Sequence, residues 1–410
     1  MIKKLALIVI IVLSLSACQS ESSESAEELL QKDWSEIEES AKGTTVRMYM
    51  WGGDDGINRY MDEFVAPRLK EEHDITLERV PMDTNEILQK LFNEKKAGKE
   101  KGTIDVIWIN GENFKNAKDN ELLVGPFTEK LPNVQKYVES ESLDIQYDFG
   151  TEVEGLEAPW GKVQFVYFYD EEKIADPPKS FGELKAWVKE NPGRFTYPEA
   201  ADFTGNAFLR HLLYEEVASP DELLESGFNE DLLESGEENL WSYLRDIKPY
   251  LWREGKTYPS DLTELDRLYN QGEVWMTFGY NEARAESLIK NGNFPKSTKS
   301  FIMDSGSIGN THFLAVPFNS PNKAGAMASI NYLLSPEAQL MKYDSTYWGE
   351  NIALDPGKLS EEDKAKMESM DRGASVLPPE ELAEKNLPEV DAKYVNWIKE
   401  HWINEVVKTD

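Results

Sequence analysis

The sequence predicts an α/β fold built on a doubly wound, mostly parallel sheet, and two observations predict it. From Thr44 onward strand-like and helix-like segments succeed one another as β-α-β-α-β. The third strand-like segment, Thr103–Asn110 (TIDVIWIN), is almost continuously apolar, as a strand covered on both faces must be.

Thr45–Trp51 (TVRMYMW) reads as the first strand, closed by Gly52-Gly53. Asp54 or Asp55 then caps a helix whose apolar residues Ile57, Tyr60, Met61, Phe64, Val65 and Leu69 recur at helical spacing. A second strand over Ile75–Val80 leads through Pro81 to a helix over Asn85–Lys95. After Thr103–Asn110, a further strand is expected at Val163–Tyr169, preceded by Ala158–Gly161 (APWG). Helices are expected over Phe181–Glu190 and Asn206–Glu216, and the acidic run Ser219–Glu238 reads as solvated helix and loop. Glu273–Phe278, Phe301–Met303 and Thr311–Pro317 read as strands. Asn322–Leu334 is a helix between Pro321 and Ser335-Pro336. No internal repeat is visible.

The amino terminus is a separate matter. Lys3 and Lys4 precede an apolar run from Leu5 to Leu15 that has the length of a signal-peptide core and is too short to span a bilayer. Ser16-Ala17 then precede Cys18, the chain's single cysteine. Leu15–Cys18 (LSAC) resembles the bacterial lipobox, which implies lipidation at Cys18; a plain secretory signal is the competing reading. Residues 1–17 are then a leader, and 18–43, rich in Ser and Glu, a tether with at most a short helix around Leu29–Ile37. The chain is expected outside the cytoplasm, lipid-anchored to the outer face of the cell membrane or periplasmic.

Composition narrows the chemistry. The net charge is −32, and loss of Lys3 and Lys4 with the leader makes it −34; such a surface repels nucleic acid and anionic lipid. With Cys18 committed to anchoring, no thiol remains for a disulfide or a thiolate metal site. The four histidines, His73, His211, His312 and His401, show no paired spacing, and no metal or cofactor is expected. Phosphate-cradling G-x-x-x-x-G-K-[ST] and nucleophile-elbow G-x-S-x-G motifs are absent.

Several segments in collinear order resemble the extracytoplasmic solute-binding proteins of ABC importers. Ser320–Gln339 (SPNKAGAMASINYLLSPEAQ) is similar to that family's late helix pair. Tyr269–Asn281 (YNQGEVWMTFGYN) resembles its F-x-x-G-x-x-A-M segment, with Trp275 in place of the usual small residue, and Thr103–Asn110 its P-D-V-V strand. A narrower resemblance, carried by WGGDDGINRY, WINGENFKNAKDNELLVGPF, VEGLEAPWG and NPGRFTYP, is to a branch labelled thiamine-type. The resemblance implies a two-lobed periplasmic-binding-protein fold of type II, with an interlobe ligand cleft that closes about a hinge. The lobes are expected at 44–156 and 157–305, with a return to the first lobe at 306–345 and C-terminal helices 346–410 packing on the second lobe and hinge. The chain would cross near Leu156–Trp160 and come back around Gly306–Pro317.

Open α/β sheets bind ligands beyond the carboxyl ends of their strands. That rule selects Trp51, Gly52 and Gly53 after the first strand, and Asn110, Gly111, Glu112 and Asn113 after the third. Glycine lets backbone approach a ligand, the asparagines donate and accept, and Glu112 points toward a cationic or hydroxyl-bearing solute. Asp54 is read as a helix cap, as is the Thr204–Asn206 turn. Trp160, Tyr197, Tyr280 and Trp348 lie at expected strand ends or loops, where aromatic faces can stack on rings, sugars or cations, although core packing competes for each. By the resemblance, Tyr280 and Asn281 fall where the family contacts ligand from its second lobe. His312, near the expected hinge, reads as structural.

The expected function is binding, not catalysis: capture of a small solute, thiamine-like, otherwise cationic or carbohydrate, by a monomer, and delivery to ABC permease subunits. The alternative is a secreted carbohydrate-active hydrolase with paired carboxylates, and a third reading is a ligand-free adhesin or regulatory partner.

Overall fold

The computed structural model describes residues 25–408 except Ser226; the leader 1–17 and Cys18 lie outside the described residues. In chain order the strands are β1 (Thr45–Met50), β2 (Thr76–Pro81), β3 (Val106–Ile109), β4 (Tyr147–Asp148), β5 (Thr151–Glu152), β6 (Glu157–Gln164) and β7 (Val166–Asp170). They continue as β8 (Met276–Gly279), β9 (Thr298–Phe301), β10 (Ser307–Ala315), β11 (Asn351–Ile352) and β12 (Asn386–Leu387).

The first sheet has the order β2-β1-β3-β10-β6-β11. The strands β1, β2 and β3 are parallel; β10 runs antiparallel to β3 and to β6, and β11 antiparallel to β6. Alternation along the strands sorts two faces. Val46, Met48, Met50, Val106 and Leu314 point into one core, shared with the helical run 55–73 and the helix Lys323–Leu333. Ile107, Ile109, Phe313 and Ala315 point into the other, under the helices Thr84–Lys96 and Glu112–Asp119. Cover on both faces is why the third strand is apolar throughout. It is shorter than Thr103–Asn110 because the buried Asp105 side chain binds other segments, accepting from the Arg47 amide at 2.8 Å and from Ser320 Oγ and the Asn322 amide at 3.0 Å.

The second sheet is antiparallel, with β7 between β8 and β9. It underlies a large aromatic core that includes Phe165, Tyr167, Phe208, Phe278 and Trp241. The strand expected over Val163–Tyr169 is therefore two strands in two sheets: Gln164 pairs in the first and Val166 in the second, with Phe165 between them. The outward crossing lies there and not at Leu156–Trp160, since Ala158–Trp160 sit inside β6. The return crossing joins β9 to β10 across 302–306. Residues 157–164, expected in the second lobe, thus belong to the first sheet.

Two further expectations are corrected. The segment read as a tether is folded from Ser25 onward: helices Ala26–Gln31 and Trp34–Ala41 bury Leu29, Ile37 and Ala41 against the first core. The acidic run 219–238 is helix and loop as expected, but not wholly solvated: Leu223 and Leu233 are buried, the latter in the amphipathic helix Glu230–Ile247. C-terminal residues divide between the cores, with Trp348, Ile352 and Leu359 in the first and Tyr394, Ile398 and Trp402 in the second.

Candidate functional site

The carboxyl ends of β1 and β3 face the second sheet's half of the molecule, and residues from both halves meet there. After β1, Asp54 caps the next helix, accepting from the amides of Gly56 at 2.8 Å and Ile57 at 2.9 Å, as its local sequence predicts. Burial nevertheless holds its carboxyl above the usual range, opposed by those amides and by Arg284 from the second half. Asn58 Nδ2 donates to the Gly52 carbonyl at 2.9 Å. Trp51 is half-buried with its ring against Gly53, where a Cβ would overlap the indole.

After β3, Asn110 Nδ2 donates to Asn310 Oδ1 of β10 at 2.8 Å. Gly111 has φ +62°, and its amide donates to Asp148 Oδ2 at 2.6 Å. A Cβ there would stand 3.2 Å from the Phe149 ring, so both conformation and space require glycine. Glu112 Oε1 accepts from Lys399 Nζ at 2.5 Å, which ties the first half to the C-terminal helix Ala392–Trp402 of the second. The other oxygen of Glu112 is buried without a partner. Asn113 is half-buried beside it.

Opposite stands a network centred on Arg210, which is fully buried in the helix Phe203–Glu216. Its guanidinium meets both oxygens of Glu389 at 3.0 Å, Asn206 Oδ1 at 2.7 Å and Tyr280 Oη at 2.9 Å. Tyr280 in turn donates to Glu389 at 2.6 Å, and Asn310 also hydrogen-bonds this carboxylate. Burial still pushes the Glu389 carboxyl up despite the guanidinium. Phe149 from the first half and Phe203 flank the guanidinium at 5.0 and 5.8 Å. Asn281, at φ +70°, donates from Nδ2 to the Trp348 carbonyl at 3.1 Å, a further tie between the halves.

The remaining aromatics divide. Trp160 and Trp348 join Trp108 in a packed cluster with ring centroids 4.9–5.5 Å apart, and His312 lies 4.8 Å from Trp108. Beneath them Lys342 and Glu350, both fully buried, pair at 2.6 Å, and His312 Nδ1 contacts the other Glu350 oxygen. Tyr197 lies apart, fully buried in the second core, stacked on Phe208 at 5.0 Å and accepting from Trp402 Nε1 at 3.2 Å. The structure thus brings Asn110, Gly111, Glu112 and Tyr280 to the junction through Asn310, Glu389, Asp148 and Lys399, and Asn281 through Trp348, whereas Gly52 and Gly53 at the end of β1 contact Asn58, Pro81 and Trp51. Trp160, Trp348 and Tyr197 contribute packed rings.

Sequence reasoning missed Arg210, Glu389, Asn310, Asp148 and Lys399. Arg210 left a signal, as a lone cation in an otherwise apolar helical stretch (NAFLRHLLY). Its neighbour His211 is structural: Nδ1 bonds the Ala207 carbonyl at 2.8 Å and Nε2 accepts from the Ile308 amide at 3.0 Å. Burial pushes its pKa down to about 3, which keeps the ring neutral and able to accept. Among the described residues, no three His, Cys, Asp or Glu side chains are grouped to hold a metal ion.

The sequence profile of the bacterial extracellular solute-binding protein family matches residues 65–364. Protein YnjB of Escherichia coli (strain K12) is 37% identical over 374 residues, covering 91% of this chain and 93% of its own. The periplasmic binding protein AfuA of Actinobacillus pleuropneumoniae, solved with fructose-6-phosphate, superposes with a TM-score of 0.62 at 13% identity, over 89% of this chain and 99% of its own. A spermidine/putrescine ABC transporter protein of Listeria monocytogenes gives 0.61 at 17% identity, over 88% and 98%. These likenesses are to two-lobed proteins of the type II periplasmic-binding fold.

Proposed function

The chain belongs to the family of bacterial extracellular solute-binding proteins, and from that premise we propose that it grips one small solute between its two halves and delivers it to the permease of an ABC importer. The reading rests on one observation: beyond the carboxyl edge of the first sheet the two halves meet through Glu112–Lys399, through Phe149 against the Arg210 guanidinium, and through Asn281–Trp348. Ligand contacts that bridge two lobes are made only when the lobes are closed, so the solute itself supplies the differential affinity that stabilises closure. The walls are Trp51–Gly53 and Asn110–Asn113 from the first half, with Tyr280 and Asn281 from the second. The protein acts by binding without turnover, exported and held at the membrane through acyl chains on Cys18.

The test is thermal unfolding of the mature chain against a solute panel. A solute at one hundred times its Kd stabilises by about 2.7 kcal/mol and is recovered unchanged. A hit that is consumed points to an enzyme. A panel with no hit, in a protein whose permease does not retain it, removes the proposal.

A further inference from the structure

Resting on that reading, we infer that the C-terminal segment Asn386–Trp402 is a latch that draws the two halves together in the absence of solute. The segment is rooted in the second half. It starts as β12, paired with the first residues of β10 just past the return crossing. Beyond β12 the Glu389 carboxylate sits on Arg210 and Tyr280, and the Pro388 carbonyl accepts from Tyr214 Oη at 2.7 Å. The Val395 carbonyl accepts from Asn206 Nδ2 at 3.2 Å, and Tyr394, Ile398 and Trp402 are buried in the second core.

The same segment grips the first half at two places. Lys399 donates to Glu112 in the turn after β3 at 2.5 Å. At the start of the helix Ala392–Trp402, Asp391 caps the Lys393 amide, while the Ala392 amide donates to the Phe149 carbonyl at 3.1 Å. Phe149, Ala392 and Val395 form a small buried cluster of their own. Phe149 belongs to the β4–β5 hairpin, which Asp148 fastens to the Gly111 amide beside Glu112. Hairpin and turn therefore move with the first sheet. A rotation about the crossings that parts the halves breaks both grips, because the segment stays with the second core.

The hairpin carries a mark of this role. Its two-residue loop, Phe149-Gly150, has φ +46° and +71°, the pattern of a type I′ turn, where Asn-Gly is favoured. A bulky side chain at positive φ is strained. The ring that bears the strain lies over Gly111 and reaches across the junction, 5.0 Å from the Arg210 guanidinium and 6.1 Å from Phe203. A turn residue such as asparagine would relieve the strain and lose that contact. The latch thus acts on the same turn, Asn110–Asn113, that forms one wall for the solute.

Small-angle X-ray scattering of the mature chain, shown by mass spectrometry to carry no solute, reads the separation of the halves. The parent is expected to be compact. Phe149→Asn keeps a favoured turn residue and removes the ring, and Lys399→Met removes the ammonium. Each is expected to shift the closed-to-open ratio about tenfold toward open and to raise the radius of gyration. Glu112→Lys/Lys399→Glu, which reverses the ion pair, is expected to return the radius toward the parent's, as a local packing defect would not. An expanded parent overturns the latch, because closure would then need the solute. Variants as compact as the parent, or a reversed pair that restores nothing, overturn it too. So does loss of the circular dichroism of the fold in Phe149→Asn, which would make the ring a core residue. No solute enters this measurement, so each of these failures leaves the solute-binding reading intact.

Discussion

The Arg210 guanidinium and the Glu389 carboxylate form a two-point ion pair, 3.0 Å at each contact, with the arginine fully buried. One partner lies in a helix of the second half and the other on the C-terminal strand-to-helix connection just beyond β12, which itself pairs with the start of β10. Phe149 and Phe203 close over the pair, so removing one partner leaves the other charge buried with little access to water. Arg210→Met is expected to cost about 3–5 kcal/mol in urea unfolding. The double variant Arg210→Met/Glu389→Leu should lose clearly less than the sum of the single changes. Additive losses would show that the two groups do not act as a pair.

Asp202 predicts a pH dependence. It caps the helix Phe203–Glu216 through the amides of Thr204 and Gly205, yet burial raises its pKa from 3.8 to about 6. A carboxyl whose pKa is higher in the folded state keeps its proton while the unfolded chain releases one, so stability falls as pH rises from about 4 to about 6 and then levels. Asparagine caps as well as aspartate and does not titrate. Asp202→Asn should therefore match the parent near pH 4 and exceed it at pH 7, by at most about 3 kcal/mol for a shift of this size and by less for a side chain with some solvent contact. Equal stability of the two proteins at both values would contradict the shift.

Gly161 predicts a steric effect. It lies in β6 opposite His312 of β10 and Ile352 of β11, and a Cβ there would enter the space of the Glu350 carboxylate and the Lys342 ammonium. Both groups are fully buried, and Lys342 also donates to the Trp160 carbonyl at 2.5 Å, so neither can swing into solvent. Gly161→Ala is expected to destabilise by about 1–3 kcal/mol or more. Gly182→Ala serves as the control, since Gly182, like Gly161, is outside the left-handed region and its Cβ position meets only Ser180 Oγ at 3.9 Å.

Much of this architecture was legible in the sequence, and the failures have physical causes. The opening succession of strands and helices was readable because each apolar periodicity is local and each end carries its own signal, such as Asp54 before its helix or Ser335-Pro336 between two. The division at Phe165 was not, because one apolar run serves two sheets and periodicity does not say which neighbours a strand will find. Trp160 and Tyr197 beside turn residues gave no hint of burial, which is decided by partners distant in the chain: Trp108 and Trp348 for the first, Trp402 for the second. Glycine and asparagine at Asn110-Gly111 were informative for the opposite reason. A positive φ and a close backbone approach are local demands that few residues meet. Lys399, 287 residues from Glu112, was out of reach of any local pattern.

The two tryptophans Trp51 and Trp160 test the proposed wall of the site. Trp160 is fully buried, wedged between Trp108 and Trp348, and Trp160→Ala should cost about 3–5 kcal/mol through the cavity it leaves. Trp51 is half-buried over Gly53 just after β1, so Trp51→Ala should cost less than half as much. Its main effect is expected on binding, a weakening of about tenfold for loss of one aromatic face against a cation or ring. Urea unfolding and calorimetric titration of the two variants decide the matter. If Trp51→Ala unfolds the chain as readily as Trp160→Ala, or leaves the affinity of a bound solute unchanged, then Trp51 is a packing residue and the wall after β1 consists of the glycine backbone alone.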